Sequence, residues 1–388
     1  MLCYRLNIQN PAALEQELQR LACDPGGIVI MREKLSAITL KITDILGYCA
    51  IALKEAALSA GAECALPKNT IRKPDVPADI ILLGTPSQIK IIAAKCTQQA
   101  FKQLRELGET IPRIIAEVPC SQQLMGILNV TPDSFSDGGK FTDTPKALAH
   151  AQLMITQGAT IIDIGGESTR PGAVEITEAE ELARVIPVIT ELHKHHPTMC
   201  ISIDTTKSSV ARAAVNAGAT MINDISGLTR DPEIARVAAE TGAKLVIMHR
   251  LGTSSTMQQN PEYTDLLKEI LLSLQASIAL AREYGVSDTQ IIVDPGIGFG
   301  KTTQHNLYIL QQLGAFHSLG YPVMLGVSRK SVIGNILNKD PQERILGTAV
   351  LSALTFATVD YLRVHDLSEN KDALLIGKAL SCGMSYGL

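Results

Sequence analysis

The sequence predicts an α/β protein whose larger part is a closed barrel of eight parallel strands, each followed by a helix. Three observations lead to this fold class. Eight short apolar runs recur along the last two thirds of the chain, each run ends in polar residues, and amphipathic segments fill the intervals. Strands covered by helices on both faces are continuously apolar. Only their carboxyl ends are free to carry chemistry, as in (β/α)8 TIM barrels.

The apolar runs predict the eight strands in order. They read MGILNVTPDSFSDGG from Met125, IIDIGGESTRPG from Ile161, ISIDTTK from Ile201, MINDISG from Met221, LVIMHR from Leu245, IIVDPGIGFGK from Ile291, VMLGVSRKS from Val323 and YLRVHD from Tyr361.

Amphipathic segments between these runs predict the helices, and several begin at cap-like residues such as Thr177 and Asp231. An open doubly wound sheet is the alternative topology. We favour the barrel because the eight units occupy about 265 residues, close to the ~250 typical of that fold. The predicted helices cover 147–157, 178–192, 210–217, 232–240, 266–284, 306–313, 344–358 and 371–380.

Residues 1–118 are predicted to form a separate small α/β domain, and residues 119–388 the barrel. The stretch 107–119, with two prolines and one glycine, predicts a linker, and a short strand at 111–115 is the alternative. We find no chemical motif in this domain, which favours a packing or dimerisation role. Its predicted elements are a helix over 11–21, an apolar run at 27–31, a helix over 44–60, a strand over 78–85 and a helix over 88–107.

Composition narrows the class of protein. With 388 residues, 46% hydrophobic and 19% charged, the chain can bury a large core. A net charge of −4 and dispersed Lys and Arg residues argue against a nucleic-acid partner. No apolar run reaches the ~18 to 20 residues of a membrane span, and charged residues lie within the first twenty. Eight cysteines without a CxxC pair predict free thiols and a cytoplasmic location.

Polar groups of both signs stand at the predicted strand ends. Carboxylates that accept from parallel N–H groups suit an aminopyrimidine-like edge, while Lys and Arg suit a carbonyl oxygen or a phosphate. A ligand with two chemically different ends is therefore expected, and Mg²⁺ would bridge phosphate oxygens with one or two protein ligands. The groups are Asp163, Asp204, Asp224, Asp294, Asn129, Asn223, Arg170, Lys330, Arg363 and His365.

Each of these groups also has an alternative without a catalytic role. Asp163 lies in the middle of its run and would equally suit bonds to neighbouring backbone. Asp204 and Asp294 would also suit helix capping or a turn. His249 and His365 would suit the barrel rim, and the glycine-rich stretch 296–302 lacks the spacing of a P-loop. The joint occurrence of the groups, rather than any one of them, favours a site.

Six motifs in this order, from about residue 121 to the end of the chain, resemble the dihydropteroate synthase family: MGILNVTPDSFSDGG, GGESTRPGA, MHRLGTSSTMQQNPEY, DPGIGFGK, SRKS and RVHD. The resemblance implies an eight-stranded barrel and a transferase of folate biosynthesis. Such enzymes condense (7,8-dihydropterin-6-yl)methyl diphosphate with 4-aminobenzoate to give 7,8-dihydropteroate and diphosphate, and they are sulfonamide targets. Magnesium and a homodimer are implied as well.

The resemblance also assigns roles by motif. It implies that Asn129 contacts magnesium, and that catalysis rests on Asp204, Asp294, Lys330, Arg363 and His365. The pterin diphosphate would contact those five residues together with Thr169 and Asn223, and 4-aminobenzoate would contact Arg170, Pro171, Phe299 and Ser331. Two departures stand out: Ile297, where many members carry an aromatic residue, and the N-terminal domain, which typical members lack.

Two other functions remain open at this point. A pterin-binding methyltransferase domain with a corrinoid partner shares the barrel and the pterin-facing Asp and Asn residues. The NVTPDSF and STRPG motifs argue against it, because a methyltransferase has no diphosphate or aminobenzoate to enclose. An inactive barrel that serves as an assembly subunit is disfavoured, because every matched polar position is filled.

Overall fold

The structure is a computed structural model that describes residues 11–116, 122–131, 144–168, 175–252 and 261–382. The chain divides into two compact units, Met1–Val118 with Ala379–Leu388, and Pro119–Lys378. No helix within these described ranges is long and apolar enough to cross a membrane.

The first unit is a small α/β fold built on an antiparallel sheet with strand order β1-β3-β2. Helices α3, α4 and α5 pack on it around a core that includes Leu53, Leu82 and Ile92. Its elements are α1 (Pro11–Arg20), α2 (Pro25–Arg32), β1 (Ile38–Leu46), α3 (Gly47–Ser59), β2 (Glu63–Ala65), β3 (Pro77–Gly84), α4 (Pro86–Thr97) and α5 (Lys102–Ile114).

Several predicted elements of this unit need correction. The apolar run 27–31 lies in a helix, because the Asp24 side chain caps the backbone N–H groups of Gly26 and Gly27. The predicted linker from 107, and its alternative strand at 111–115, are wrong as far as Ile114, because α5 continues through Pro112. Gly108 permits the close packing of α5 on α4, since a Cβ there would lie 2.6 Å from the carbonyl oxygen of Ala93.

The second unit is the predicted (β/α)8 barrel. Its eight strands are parallel in the order β10-β11-β4-β5-β6-β7-β8-β9, and a parallel bridge between Val293 and Val323 closes the ring. The open-sheet alternative is therefore wrong. The strands are β4 (Gln123–Asn129), β5 (Ile161–Gly165), β6 (Cys200–Asp204), β7 (Met221–Asp224), β8 (Lys244–Met248), β9 (Ile291–Asp294), β10 (Met324–Leu325) and β11 (Tyr361–Val364).

Helices follow the strands as expected, and the predicted ones are confirmed with their ends moved by a few residues. A short helix directly after Lys330 was not predicted. The helices are α6 (Thr144–Gln157), α7 (Glu178–His195), α8 (Ser208–Asn216), α9 (Glu233–Thr241), α10 (Leu266–Glu283), α11 (Thr303–Gln311), α12 (Ser331–Leu337), α13 (Ile345–Leu354) and α14 (Leu367–Cys382).

Apolar side chains fill the inside of the barrel, so that it is a packed core rather than a pore. Met125, Ile161, Met221, Val246 and Ile292 form this inner cluster. A larger apolar layer lies between the strands and the helices. With the interior filled below, polar side chains are carried at the carboxyl ends of the strands.

Candidate active site

Strand register places three of the sequence-predicted positions, Asn129, Asp204 and Asn223, at one level of the barrel. Asn129 pairs with Gly165, Gly165 with Asp204, and Asp204 with Asn223. Asn129 is half-buried, while Asp204 and Asn223 are buried. Because neighbouring parallel strands end at the same edge, this pairing brings the amide and carboxylate groups into one row.

An arginine between two carboxylates forms the centre of the site. Arg363 donates from Nε to Asp163 Oδ2 over 2.6 Å and from Nη2 to Asp204 Oδ2 over 2.7 Å. The same Asp163 oxygen accepts from Nδ2 of Asn223 over 3.1 Å. Asp163, for which the sequence left open a bond to neighbouring backbone, therefore bonds to two other polar side chains of the site.

Two acceptor atoms in this network are left over. Asp163 Oδ1 and Asn223 Oδ1 are buried and have no hydrogen-bond donor among the described residues. A buried acceptor without a donor costs roughly 1–3 kcal/mol. Because the Asn223 amide already uses its Nδ2 on Asp163, its oxygen is the atom that remains available to a ligand N–H group.

Burial sets the ionisation of the central carboxylate. It raises the pKa of Asp204 to about 7, with Arg363 acting in the opposite direction and Asp163 adding to the rise. Burial lowers the pKa of Arg363, but Asp163 and Asp204 outweigh it and the net shift is upward. The guanidinium therefore stays charged, and Asp204 titrates near neutral pH.

Asp294 and Lys330 are two further charged groups of the site, and each affects the pKa of the other. Asp294 is buried at the end of β9, and its Oδ1 accepts from the backbone N–H of Gly296 over 2.7 Å. Burial raises the pKa of Asp294 and lowers that of Lys330 to about 8, and each group opposes the shift of the other. The Lys330 ammonium donates to the carbonyl oxygen of Ile297 and lies 4.7 Å from the centroid of the Phe299 ring.

The departure at Ile297 is accommodated inside the fold. Its side chain is fully buried in the layer between strands and helices, and its carbonyl oxygen receives Lys330. The backbone role of this position therefore does not depend on an aromatic side chain.

The glycine-rich stretch after β9 packs against the segment after β8. Gly296 has φ of +70°, and a Cβ there would lie 1.9 Å from the carbonyl oxygen of His249. Lys301 is only 2% exposed, and its Nζ lies 2.9 Å from His249 Nδ1 and 3.0 Å from the carbonyl oxygen of Phe299. The lysine thus fixes the stretch from inside instead of presenting itself as a P-loop lysine does, and His249 is the satisfied rim histidine that the sequence allowed.

Burial strongly perturbs this inner pair. It lowers the pKa of Lys301 to about 7, with Asp294 acting in the opposite direction. Burial, followed by the charge of Lys301, lowers the pKa of His249 to about 3. His249 therefore remains neutral throughout the neutral pH range and accepts from the lysine.

The remaining predicted positions lie after β11, at the start of α12, at the end of β7 or outside the described residues. His365 lies after β11 with its Nδ1 2.9 Å from Ser328 Oγ, and Ser331 begins α12 in an exposed position. Thr169, Arg170 and Pro171 lie outside the described residues. Asp224 is a turn-forming carboxylate, because its two oxygens accept from the backbone N–H groups of Ser226 and Leu228.

Sequence reasoning missed an ion-pair cluster beside the site. Lys207 lies between Glu167 and Glu181, with N–O distances of 2.5 and 2.6 Å, and all three side chains are largely buried. Lys207 ends the motif ISIDTTK, but the spacing of residues in the sequence does not predict that its partner Glu181 lies in α7.

Metal ligation by protein side chains alone finds no support in the described ranges. No group of three His, Cys, Asp or Glu side chains there is arranged to hold an ion.

Comparison with known proteins identifies the family. The family model described as pterin binding enzyme matches residues 125–365. The dihydropteroate synthase of Synechocystis sp. is 49% identical over 259 residues, which are 66% of this chain and 89% of the relative. The chain belongs to the dihydropteroate synthase family.

Solved structures agree with this membership. The dihydropteroate synthase of Yersinia pestis, determined in complex with a sulfonamide drug, has a TM-score of 0.63 at 42% identity and covers 67% of this chain and 94% of its own. The enzyme of Xanthomonas albilineans in complex with 7,8-dihydropteroate has a TM-score of 0.61 at 38% identity, with coverages of 67% and 94%. The match to the pterin binding enzyme model, residues 125–365, lies within the second unit.

The buried amine of Lys301 predicts a pH dependence of stability. Its pKa of about 7 in the folded state lies below the ordinary 10.5, so the unfolded chain binds one more proton between these values. Wild-type protein should therefore gain roughly 2 kcal/mol relative to a Lys301→Met variant between pH 7 and about pH 9. Urea unfolding followed by far-UV circular dichroism measures this, and a difference independent of pH would contradict the buried position of the amine.

Proposed function

We propose that the barrel catalyses the condensation of (7,8-dihydropterin-6-yl)methyl diphosphate with 4-aminobenzoate through the residues described above. The observation that carries the proposal is the pair of buried, unpartnered acceptors, Asp163 Oδ1 and Asn223 Oδ1, beside the carboxylates of Asp204 and Asp294. A pterin offers a matching edge of N–H groups. The unmet hydrogen bonds of the protein would be completed by that edge.

Recognition of the pterin divides between acceptors and donors. Asp204, Asn223 and Asp294 accept from the N–H groups of the aminopyrimidine ring, and Lys330 donates to the ring carbonyl oxygen. The raised pKa values of Asp204 and Asp294 favour this role, because bringing N–H groups close to a buried carboxylate stabilises its charged form.

Departure of diphosphate is aided by positive charge at the opposite end. Arg363 lies in β11 and His365 directly after it, and both bind the leaving group in this proposal, while Arg363 also bonds to Asp204 of the pterin end. Thr169, which the resemblance adds to this set, lies outside the described residues. Breaking the carbon–oxygen bond leaves two electrons on diphosphate and positive charge on the dihydropterin methylene carbon. The fixed cations stabilise the departing diphosphate and the fixed carboxylates stabilise the positive pterin, which together lower the free energy of this charge separation.

Magnesium fits the site as a cofactor held by few protein groups. The half-buried amide of Asn129 ends β4 in the same row as Asp204 and Asn223, and its oxygen is a ligand that Mg²⁺ accepts. Bound there, Mg²⁺ would neutralise charge on the diphosphate.

The second substrate occupies the side of the site that carries Phe299. The Phe299 ring lies beside Lys330, and Ser331 follows Lys330 in the chain, so both are assigned to the 4-aminobenzoate subsite. The resemblance adds Arg170 and Pro171, which lie outside the described residues. The amine of 4-aminobenzoate attacks the methylene carbon and then loses a proton. The methyltransferase alternative is disfavoured, because this chain matches two solved dihydropteroate synthases over 94% of the length of each.

A homodimer is part of the proposal. Leu346, Val350 and Leu354 lie along one side of α13 and are 70%, 50% and 75% exposed, and Leu375 and Ile376 of α14 are 54% and 60% exposed. The two helices are in close contact, because a Cβ at Gly377 would lie 2.8 Å from the carbonyl oxygen of Ala353. An exposed apolar face of this kind suits a second copy of the chain.

The cytoplasm is the compartment that we propose. Cys23, Cys49, Cys64, Cys96 and Cys200 are free thiols, and burial raises the pKa of Cys96 to about 11. Free thiols persist where the environment is reducing.

The activity is tested by incubating the full chain with both substrates, with and without Mg²⁺. We expect dihydropteroate and diphosphate in equal amounts, and a loss of turnover when the metal is chelated. Asp294→Ala should weaken calorimetric binding of the pterin diphosphate at least tenfold, because it removes a buried acceptor, whereas the exposed Asp340→Ala should not. Wild-type protein that forms no product would refute the proposal.

The dimer is tested by sedimentation velocity at micromolar concentration. We expect wild-type protein to sediment as a dimer and Leu354→Asp to shift it toward the monomer, since a charge is then buried at the interface. Ile71→Asp, at a 76% exposed position of the first unit, is the matched control and should leave the dimer intact. A monomeric wild-type protein at tens of micromolar would contradict this part.

A further inference from the structure

The segments that follow β10 and β11 are joined at two neighbouring points. Ser328 contacts His365 through its hydroxyl, and Arg329 forms a two-point ion pair with Asp366. Along the chain, Lys330 directly follows Arg329, and Arg363 lies two residues before His365. The two contacts therefore connect the segment that carries Lys330 to the segment that carries Arg363.

The Ser328 hydroxyl meets two nitrogen atoms of the same histidine. Its Oγ accepts from the backbone N–H of His365 over 3.2 Å and lies 2.9 Å from the ring Nδ1. A backbone N–H can only donate, so the hydroxyl oxygen is the acceptor in the first contact. Among the described residues, Nδ1 is the only acceptor within hydrogen-bond distance of this buried hydroxyl, so donation to Nδ1 is the arrangement that leaves no buried hydroxyl proton unpaired. A neutral imidazole in this arrangement carries its proton on Nε2.

The surrounding backbone holds the serine in place. Ser328 is buried, and Arg329 has φ of +57°, a left-handed conformation that is unfavourable for an arginine. Its backbone N–H donates to Thr348 Oγ1 over 3.1 Å, and Arg344 donates to its carbonyl oxygen over 2.9 Å. A strained residue fixed by several partners is typical of a functional position. These bonds fix the backbone beside Ser328 and so limit where its hydroxyl can lie.

We propose that Ser328 is a positioning residue that fixes the tautomer of His365, so that the neutral imidazole offers Nε2–H as a donor to the diphosphate end of the substrate. The inference rests on the proposed function of the site, in which His365 binds the leaving group. The other ring tautomer would place an acceptor at Nε2 and repel phosphate oxygens. Orientation of one ring nitrogen by a hydrogen bond at the other is a general device of histidine sites.

The tautomer is measured directly by nitrogen NMR of the full chain with ¹⁵N-labelled histidine, with His365→Gln used to assign the signals. Above neutral pH, wild-type protein should show His365 with an unprotonated Nδ1 and a protonated Nε2. Ser328→Ala should give a mixture of tautomers, and Ser328→Thr, which keeps the hydroxyl, should restore one. A protonated Nδ1 in neutral His365 of the wild-type protein would overturn the inference.

Kinetics separate a tautomer effect from a packing effect. At about pH 8, Ser328→Ala should lower kcat on the order of tenfold relative to wild type, while Ser328→Thr should remain close to wild type. The deficit should shrink in acid, where a protonated imidazole donates from both nitrogens whatever its partner. A deficit that is the same at every pH would show a purely structural role and contradict the inference.

Other titratable groups near His365 do not confuse this readout. Arg363 and Asp366 flank it on its own segment, and Arg329, which is followed in the chain by Lys330, pairs with Asp366 from the segment after β10. Their titrations are common to both proteins and cancel in the ratio of variant to wild type. A wild-type protein with the expected tautomer but without dihydropteroate formation would refute the proposed function and leave the assignment of the tautomer supported.

Discussion

The site depends on a guanidinium held between two buried carboxylates. Arg363 bonds to Asp163 and Asp204, and Asp163 also accepts from the amide of Asn223, so that four polar side chains are held in one network. Burying such a network costs several kcal/mol per ion before the hydrogen bonds offset it, so it adds little to stability. Its use is geometric: donors and acceptors for a two-ended ligand are in place before the ligand arrives, and no reorganisation is needed as charge separates.

The barrel supplies the precision that this network needs. The pairing of Asn129, Gly165, Asp204 and Asn223 fixes the height of each side chain along the barrel axis. Around the row, the segments after the strands brace one another from within, as Lys301 does through His249 and the carbonyl oxygen of Phe299. The two lysines therefore have different roles. Lys330 belongs to the site with Asp294, whereas Lys301 is buried and holds the segments after β8 and β9 together.

Most of the fold was readable from the sequence because buried parallel strands leave a strong local pattern. The eight apolar runs and their polar ends predicted the barrel, and the polar ends predicted which residues lie at the carboxyl edge of the strands. Partner choice was not readable, since Asp163 and Arg363 are 200 positions apart and pairing at that distance leaves no local trace. For the same reason the sequence did not predict the ion pair between Lys207 and Glu181 of α7. In the first unit, Pro112 suggested a linker, but packing of α5 on α4 outweighs the local preference.

The role of Asp163 is the most direct test of this account. Asp163→Asn keeps the shape of the side chain but removes the charge that orients Arg363 and Asn223. We expect calorimetry with the pterin diphosphate to show affinity reduced about tenfold or more, with far-UV circular dichroism unchanged. A folded variant that binds the pterin diphosphate as tightly as the wild-type protein would contradict the claim that this network organises the site.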